Sequence, residues 1–154
     1  MIKLPKEVNR IMKAIEGAGF DAFAVGLCVR DSLLGETPFD WDIVTPARLE
    51  VLQQLFPNGK IISEKNEIVR VEEIQEVFDK DGTFLGEEGY IIDISPYRKE
   101  SGVFTAEIEE DLSRRDFTIN AIADSPYRTV DPYNGREDLK SRLIRTVGEP
   151  IDKF

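Results

Sequence analysis

A chain of 154 residues, 41% apolar and 32% charged, has the length of one domain and can bury a core without disulfides or structural metal. It contains no histidine, which excludes a Ser-His-Asp hydrolase, a histidine-ligated zinc site and a histidine general base, so acid–base or metal chemistry must rest on carboxylates. The net charge of −10 argues against a surface that wraps nucleic acid, but residues 1–111 hold 12 basic and 23 acidic side chains while residues 112–154 hold 8 and 7, so an anion is better received toward the C-terminal end.

Leu4, Val8, Ile11, Met12 and Ile15 recur at helical spacing between charged residues, and Gly17 and Gly19 supply a stop, which predicts a helix over 5–17. Residues 22–25 form a short apolar run ending at Gly26, and 29–34 then reads as a helix closed by Gly35, giving strand, tight turn and helix. A second strand is expected at 41–44. Thr45 and Pro46 read as the N-cap and first residue of a helix reaching Phe56, which Pro57-Asn58-Gly59 ends. Apolar runs at 60–62, 68–78 and 90–94 are expected to be antiparallel neighbours in one mixed sheet, with Asp79-Lys80-Asp81-Gly82 as a turn. Residues 64–76 read as a solvated edge. The segment 108–123 reads as helical on both sides of Arg114-Arg115-Asp116, 127–131 as a short strand, and 137–142 as a polar helix.

Asp40-Trp41-Asp42 carries the chemistry. On a strand, residues two apart face the same side, so both carboxylates project about 7 Å apart toward shared ions, and oxygen-only ligands of this kind suit Mg²⁺. Asp93 interrupts the apolar run 90–94; on an adjacent strand it would supply a third carboxylate, and three converging acids repel one another unless cations sit between them. Upstream, Gly26, Leu27, Arg30 and Asp31 lie on the strand–turn–helix, an arrangement in which free backbone N–H groups receive phosphate. Downstream, Arg114 and Arg115 followed by Asp116 and Asn120 have the donors and acceptors to grip a triphosphate and a ribose hydroxyl. Each motif alone has a plainer reading: solvated or capping aspartates, an Arg30–Asp31 surface pair, and a charged helix face held by i,i+4 pairing.

Together the motifs are more specific than any one of them. Val25-Gly26-x-x-Val29-Arg30-Asp31-x-Leu33-Leu34-Gly35, then Asp40-x-Asp42-Ile43-x-Thr45, then Glu110-Asp111-Leu112-x-Arg114-Arg115-Asp116-Phe117-Thr118-Ile119-Asn120-Ala121 resemble the head domain of the class II CCA-adding enzyme and bacterial poly(A) polymerase family. Asp131-Pro132-Tyr133-Asn134-Gly135-Arg136-Glu137-Asp138-Leu139 and Ile144-Arg145-x-Val147-Gly148 extend the resemblance over most of 22–150. It implies a polymerase-beta-like nucleotidyltransferase fold, α/β (α+β) in class, with a mixed, mostly antiparallel sheet flanked by helices. It also implies Asp40 and Asp42 as metal ligands, Asp93 as the third acid, and two Mg²⁺ ions. Gly26, Leu27, Arg30, Asp31, Arg114, Arg115, Asp116 and Asn120 would be the nucleotide-binding set. The substrate would be an NTP, ATP or CTP, and the acceptor an RNA 3′ end, that of tRNA first. Residues 1–135 would form the head and 136–154 the start of a neck.

The sequence departs from the family pattern at Leu27, where a second glycine is usual; a leucine there either crowds the phosphate-binding turn or turns away into the core. The family's base-selecting neck motif, Glu-Asp-x-x-Arg, is missing from these residues, so the chain is either a head cut from a longer protein or a naturally minimal relative that would need a partner or a short substrate. A poly(A) polymerase-type head, a non-catalytic NTP-binding module, and transfer to a protein or small molecule stay open as alternatives. Cys28 is the single cysteine, and no apolar run approaches the roughly 18 residues of a membrane span. Residues 1–6 lack the apolar core of a signal peptide, so the expected compartment is the cytoplasm.

Overall fold

The computed structural model describes residues 2–148. In chain order it holds α1 (Lys6–Gly17), β1 (Phe23–Val25), α2 (Leu27–Leu33), β2 (Asp40–Thr45), α3 (Leu49–Leu55), β3 (Lys60–Ser63) and β4 (Ile68–Phe78). There follow β5 (Phe84–Pro96), α4 (Ile108–Ser113), a single 3₁₀ turn (Thr118–Asn120), β6 (Ala123–Asp124), β7 (Thr129–Val130) and α5 (Gly135–Lys140). One seven-stranded sheet runs β3-β4-β5-β2-β1-β6-β7. Among the described residues β2 and β5 form its one parallel pair and every other pair is antiparallel, so the expected mixed, mostly antiparallel sheet is what the chain builds.

Side-chain alternation sorts the core into two layers. Ala24, Trp41, Ile43, Ile92 and Ile94 point to one face, where Val8, Ile11, Met12 and Ile15 of α1 and Leu52 of α3 cover them. Phe23, Val25 and Val44 point to the other, against Ile108 and Leu112 of α4 and Val147. Packing rather than capping holds α1: Pro5 offers no side-chain cap, a loss of about 1 kcal/mol, whereas each of the four buried apolar residues contributes roughly 1.5–3 kcal/mol. No helix among the described residues is long and apolar enough to cross a membrane.

Several local expectations are corrected. Thr45 does not cap α3, which starts at Leu49; Thr45 is the last residue of β2, and its Oγ1 accepts the Ala47 N–H at 3.2 Å. The Glu67 carboxylate takes the Leu49 N–H instead, at 2.8 Å, and pairs with Arg48. The solvated-edge reading of 64–76 is corrected only around Glu67, which is buried, and Ile68–Arg70, which β3 pairs; from Val71 on, β4 has β5 alone beside it among the described residues and is an edge. The helical reading of 108–123 holds for α4 alone. Phe117 is extended and bridges Thr146, and Ala123 pairs with Val25 as part of β6, so tertiary pairing overrides helical spacing. The strand expected at 90–94 is the end of the longer β5, the helix expected at 29–34 begins at Leu27, and the strand expected at 127–131 shrinks to β7. Of the expected neck segment 136–154, residues 149–154 lie outside the described residues.

Candidate active site

The parallel pairing of β2 with β5 sets Asp42 directly beside Asp93, and Asp40 lies opposite Ile91 one pleat away. Neighbouring strands stand about 4.8 Å apart, so the three carboxylates share one face. Alternation forces the choice of face: Trp41 and Ile43 are buried against the α1–α3 layer, which sends Asp40 and Asp42 to the opposite side. Asp40 and Asp42 are exposed, and Asp93 is half-buried. Solvent reaches Asp42 from above, yet the strands around it desolvate its carboxyl and raise its pKa above the usual range. The charge of Asp93 raises it further, Arg115 pulls it back, Asp40 raises it and Arg70 pulls it back again.

Arg70 is the residue the sequence did not single out here. Opposite Asp93 in the β4/β5 register, it donates Nε to Oδ1 at 2.8 Å and Nη2 to Oδ2 at 3.1 Å, occupying both carboxylate oxygens. Only its register partner identifies it.

The glycine turn closes the site from the other side. Ala24 pairs with Ile43, and one step further along the antiparallel strands Val25 falls beside Asp42, so the Gly26 turn opens at the acid end. Gly26 has φ +77°, which favours glycine, and a Cβ there would stand 3.5 Å from Arg115 Nη1. Leu27 does not enter the core; it is 52% exposed at the first position of α2. Behind the turn Cys28 is buried, with its thiol pushed up to about 12 chiefly by desolvation. Arg30 donates Nε and Nη2 to Asp31 Oδ1 at 3.1 and 3.0 Å, so these two residues pair with each other as the plainer reading has it.

Arg114 and Arg115 follow α4 in a turn, brought to Gly26 by the return of the chain into β6. Both donate Nη2 to Asp111, which is fully buried, at 3.1 and 3.0 Å, and Asp111 also accepts the Arg98 backbone N–H at 3.0 Å. The motif alone does not disclose this role of Asp111, although its spacing of three and four residues from the arginines is the helical contact distance. Asp116 Oδ1 accepts the Phe117 N–H at 2.7 Å and Asn120 Nδ2 at 3.2 Å. Arg114 Nε, Arg115 Nε and Asn120 Oδ1 are buried without a partner among the described residues. Buried polar atoms without a partner are uncommon, and three of them fall on the arginine turn and Asn120.

The residues fit Mg²⁺ and a triphosphate. The donor set is all hard oxygen, the Asp42 pKa is raised first by desolvation and then by the charge of Asp93, which a cation would offset, and guanidinium groups lie nearby. Among the described residues no three acids stand close enough to form a metal cage, and both oxygens of Asp93 are taken by Arg70. The face over the acids is open; a cleft of about 570 Å³ lined by Leu33, Leu34, Leu139, Arg136 and Lys140 lies instead on the α2–α5 flank.

A family model described as the Poly A polymerase head domain matches residues 22–145. The chain is 40% identical over 151 residues to a CCA-adding enzyme of Geobacillus stearothermophilus, covering 97% of this chain and 36% of that protein. It is 35% identical over 155 residues to a CCA-adding enzyme of Staphylococcus aureus, with the same coverages of 97% and 36%. Among solved structures, the Bacillus stearothermophilus CCA-adding enzyme in complex with CTP aligns with a TM-score of 0.79 at 35% identity, over 97% of this chain and 35% of that one. The Thermotoga maritima CCA-adding enzyme complexed with tRNA-CCA gives 0.67 at 29% identity, over 94% and 33%. The chain spans about a third of the length of the curated relatives it matches. Since the family match takes in the glycine turn, the acid strands and the arginine turn in one uninterrupted stretch of most of the sequence, the chain belongs to the Poly A polymerase head domain family.

Proposed function

We propose that this chain is the catalytic head of a template-independent nucleotidyltransferase, which moves a nucleoside monophosphate from CTP or ATP to an RNA 3′ hydroxyl, the CCA end of tRNA. The observation that carries the reading is the Asp42–Asp93 register pair, with Asp40 on the same face and Arg115 within electrostatic reach. Relatives described with CTP and with tRNA support the substrate and acceptor classes.

Asp40 and Asp42 would hold Mg²⁺, with Asp93 as third ligand once its oxygens are released by Arg70. When bound, the metal supplies Lewis-acid activation of the acceptor hydroxyl and positive charge beside the departing pyrophosphate. Arg114 and Arg115 would bring guanidinium charge to the triphosphate, while Asp116 and Asn120 would orient the ribose hydroxyls. The absence of a Cβ at Gly26 leaves room for phosphate beside Arg115. The terminal 3′ oxygen would attack the α-phosphorus in line, giving its proton to solvent water, while the bond from the α-phosphorus to the bridging oxygen breaks and pyrophosphate leaves with that oxygen. Arg30, Asp31 and Leu27 border this phosphate turn.

The reading assigns residues 1–135 to the head and 136–154 to the start of a neck whose Thr146 and Val147 pack back on the head core; base selection and grip on tRNA would fall to neck, body and tail, in further chain or a partner. The cytoplasm is the assigned compartment, in keeping with a lone free cysteine. The test is incubation of the protein with Mg²⁺, α-labelled CTP or ATP and tRNA lacking its CCA end. Label is expected on the RNA 3′ end and none with Asp42→Asn. Label appearing instead on protein or a small molecule would refute the acceptor assignment.

A further inference from the structure

We propose that Asp111 is a positioning residue that sets the two arginines for the triphosphate; the inference rests on the nucleotide-binding reading above. Its carboxylate is 0% exposed, and each oxygen is taken by a guanidinium: Oδ1 by Arg114 Nη2 at 3.1 Å and Oδ2 by Arg115 Nη2 at 3.0 Å. Oδ1 also accepts the Arg98 backbone N–H at 3.0 Å, which ties the acid to the chain just after β5. An unpaired charge buried this deeply is strongly disfavoured, so the acid compels both cations to come to it.

The grip is through one terminal nitrogen of each arginine. That leaves Arg114 Nε and Arg115 Nε buried and unsatisfied, and Arg115 Nη1 faces the Gly26 turn. Two cations on one anion leave a local charge of +1, held in place beside the Gly26 turn before an anion arrives. Simple helix pairing does not explain it. Surface i,i+4 pairs are worth a few tenths of a kcal/mol and neither require a fully buried acid nor leave donors stranded. Arginine side chains are long and mobile when free, so without Asp111 both guanidinium groups scatter among rotamers.

The test uses ¹⁵N spectra of the arginine Nε–H groups with calorimetric titration of CTP and CMP in Mg²⁺. Wild type should show two dispersed, slowly exchanging Nε–H signals that move saturably with CTP. In Asp111→Asn both should collapse toward free-arginine positions, with CTP affinity about tenfold or more weaker and the preference for CTP over CMP shrinking by a similar factor. A purely structural role would lower thermal stability and leave that preference unchanged, which overturns the proposal. Dispersed signals in Asp111→Asn also overturn it. Should the variant fail to fold, wild-type Nε–H signals that saturating CTP leaves unmoved overturn it as well. Signals lost in the variant while wild type binds neither CTP nor ATP would uphold the positioning and refute the nucleotide reading.

Discussion

The aspartates of the β2–β5 pair and the arginines after α4 act on the same opening, yet they are held in opposite ways. Asp40, Asp42 and Asp93 owe their places to backbone register, stay in contact with solvent and repel one another. Arg114 and Arg115 owe theirs to side-chain bonds with one buried acid, and their loop has little regular structure of its own. The acid side is thus rigid in backbone and strained in charge, whereas the arginine side is the reverse. On the proposed reading a metal ion would relieve the first, and a triphosphate would satisfy the second.

Removing a member of the acid side should have the largest effect. Asp42→Ala is expected to reduce single-turnover incorporation of labelled CTP by about a thousandfold or more, as it deletes a proposed metal ligand while the backbone register stays.

The arginine side should be more sensitive to packing at a distance. A Cβ at Gly135 would stand 2.1 Å from the Thr118 carbonyl oxygen, against the turn that follows the arginines. Gly135→Ala should therefore cost about 3 kcal/mol in urea unfolding, whereas Gly17→Ala, with nothing within 4 Å, should change stability by no more than about 1 kcal/mol.

Arg70 links the two economies, being a cation that already neutralises Asp93. Arg70→Gln should tighten nucleotide-free Mn²⁺ binding, followed by electron paramagnetic resonance, by roughly three- to tenfold, since it frees two carboxylate oxygens and removes a nearby positive charge.

The smallest effect concerns pH. The folded protein raises the Asp42 pKa above its unfolded value, so in that window the native state binds more protons. Metal-free stability supplied by this group is then present below the unfolded value, near pH 4, and is lost as pH rises through the raised value. Asp42→Asn should flatten that decline and raise the melting temperature in EDTA above wild type at neutral pH. Glu67, whose pKa is lowered first of all by its hydrogen bond from Arg48, acts with the opposite sign and is unchanged between the two proteins, so their difference isolates Asp42.

The contrast also explains what the sequence disclosed. Alternation around Trp41 and an acid inside the apolar run 90–94 are local signals, and they located the Asp40, Asp42 and Asp93 face together with its neighbouring strand. Gly26 was legible because a strand, a glycine and a helix follow in order. Arg70 was not legible, since its meaning lies in a cross-strand partner 23 residues away. Glu67 likewise caps a helix that begins 18 residues earlier. Asp111 was within reach of helical spacing, but its complete burial, which separates an organiser from a solvated pair, follows from packing against the sheet. The supposed second half of the 108–123 helix failed for the same reason, because Phe117 and Ala123 find strand partners that helical periodicity does not reveal.

The most direct test of a joint metal–triphosphate face is calorimetric titration of CTP and ATP into wild type and the Asp40→Asn/Asp42→Asn double variant, with and without Mg²⁺. Saturable binding that requires Mg²⁺ and is lost in the double variant is the predicted result. Binding of the same strength in both proteins, or binding indifferent to Mg²⁺, would contradict the account.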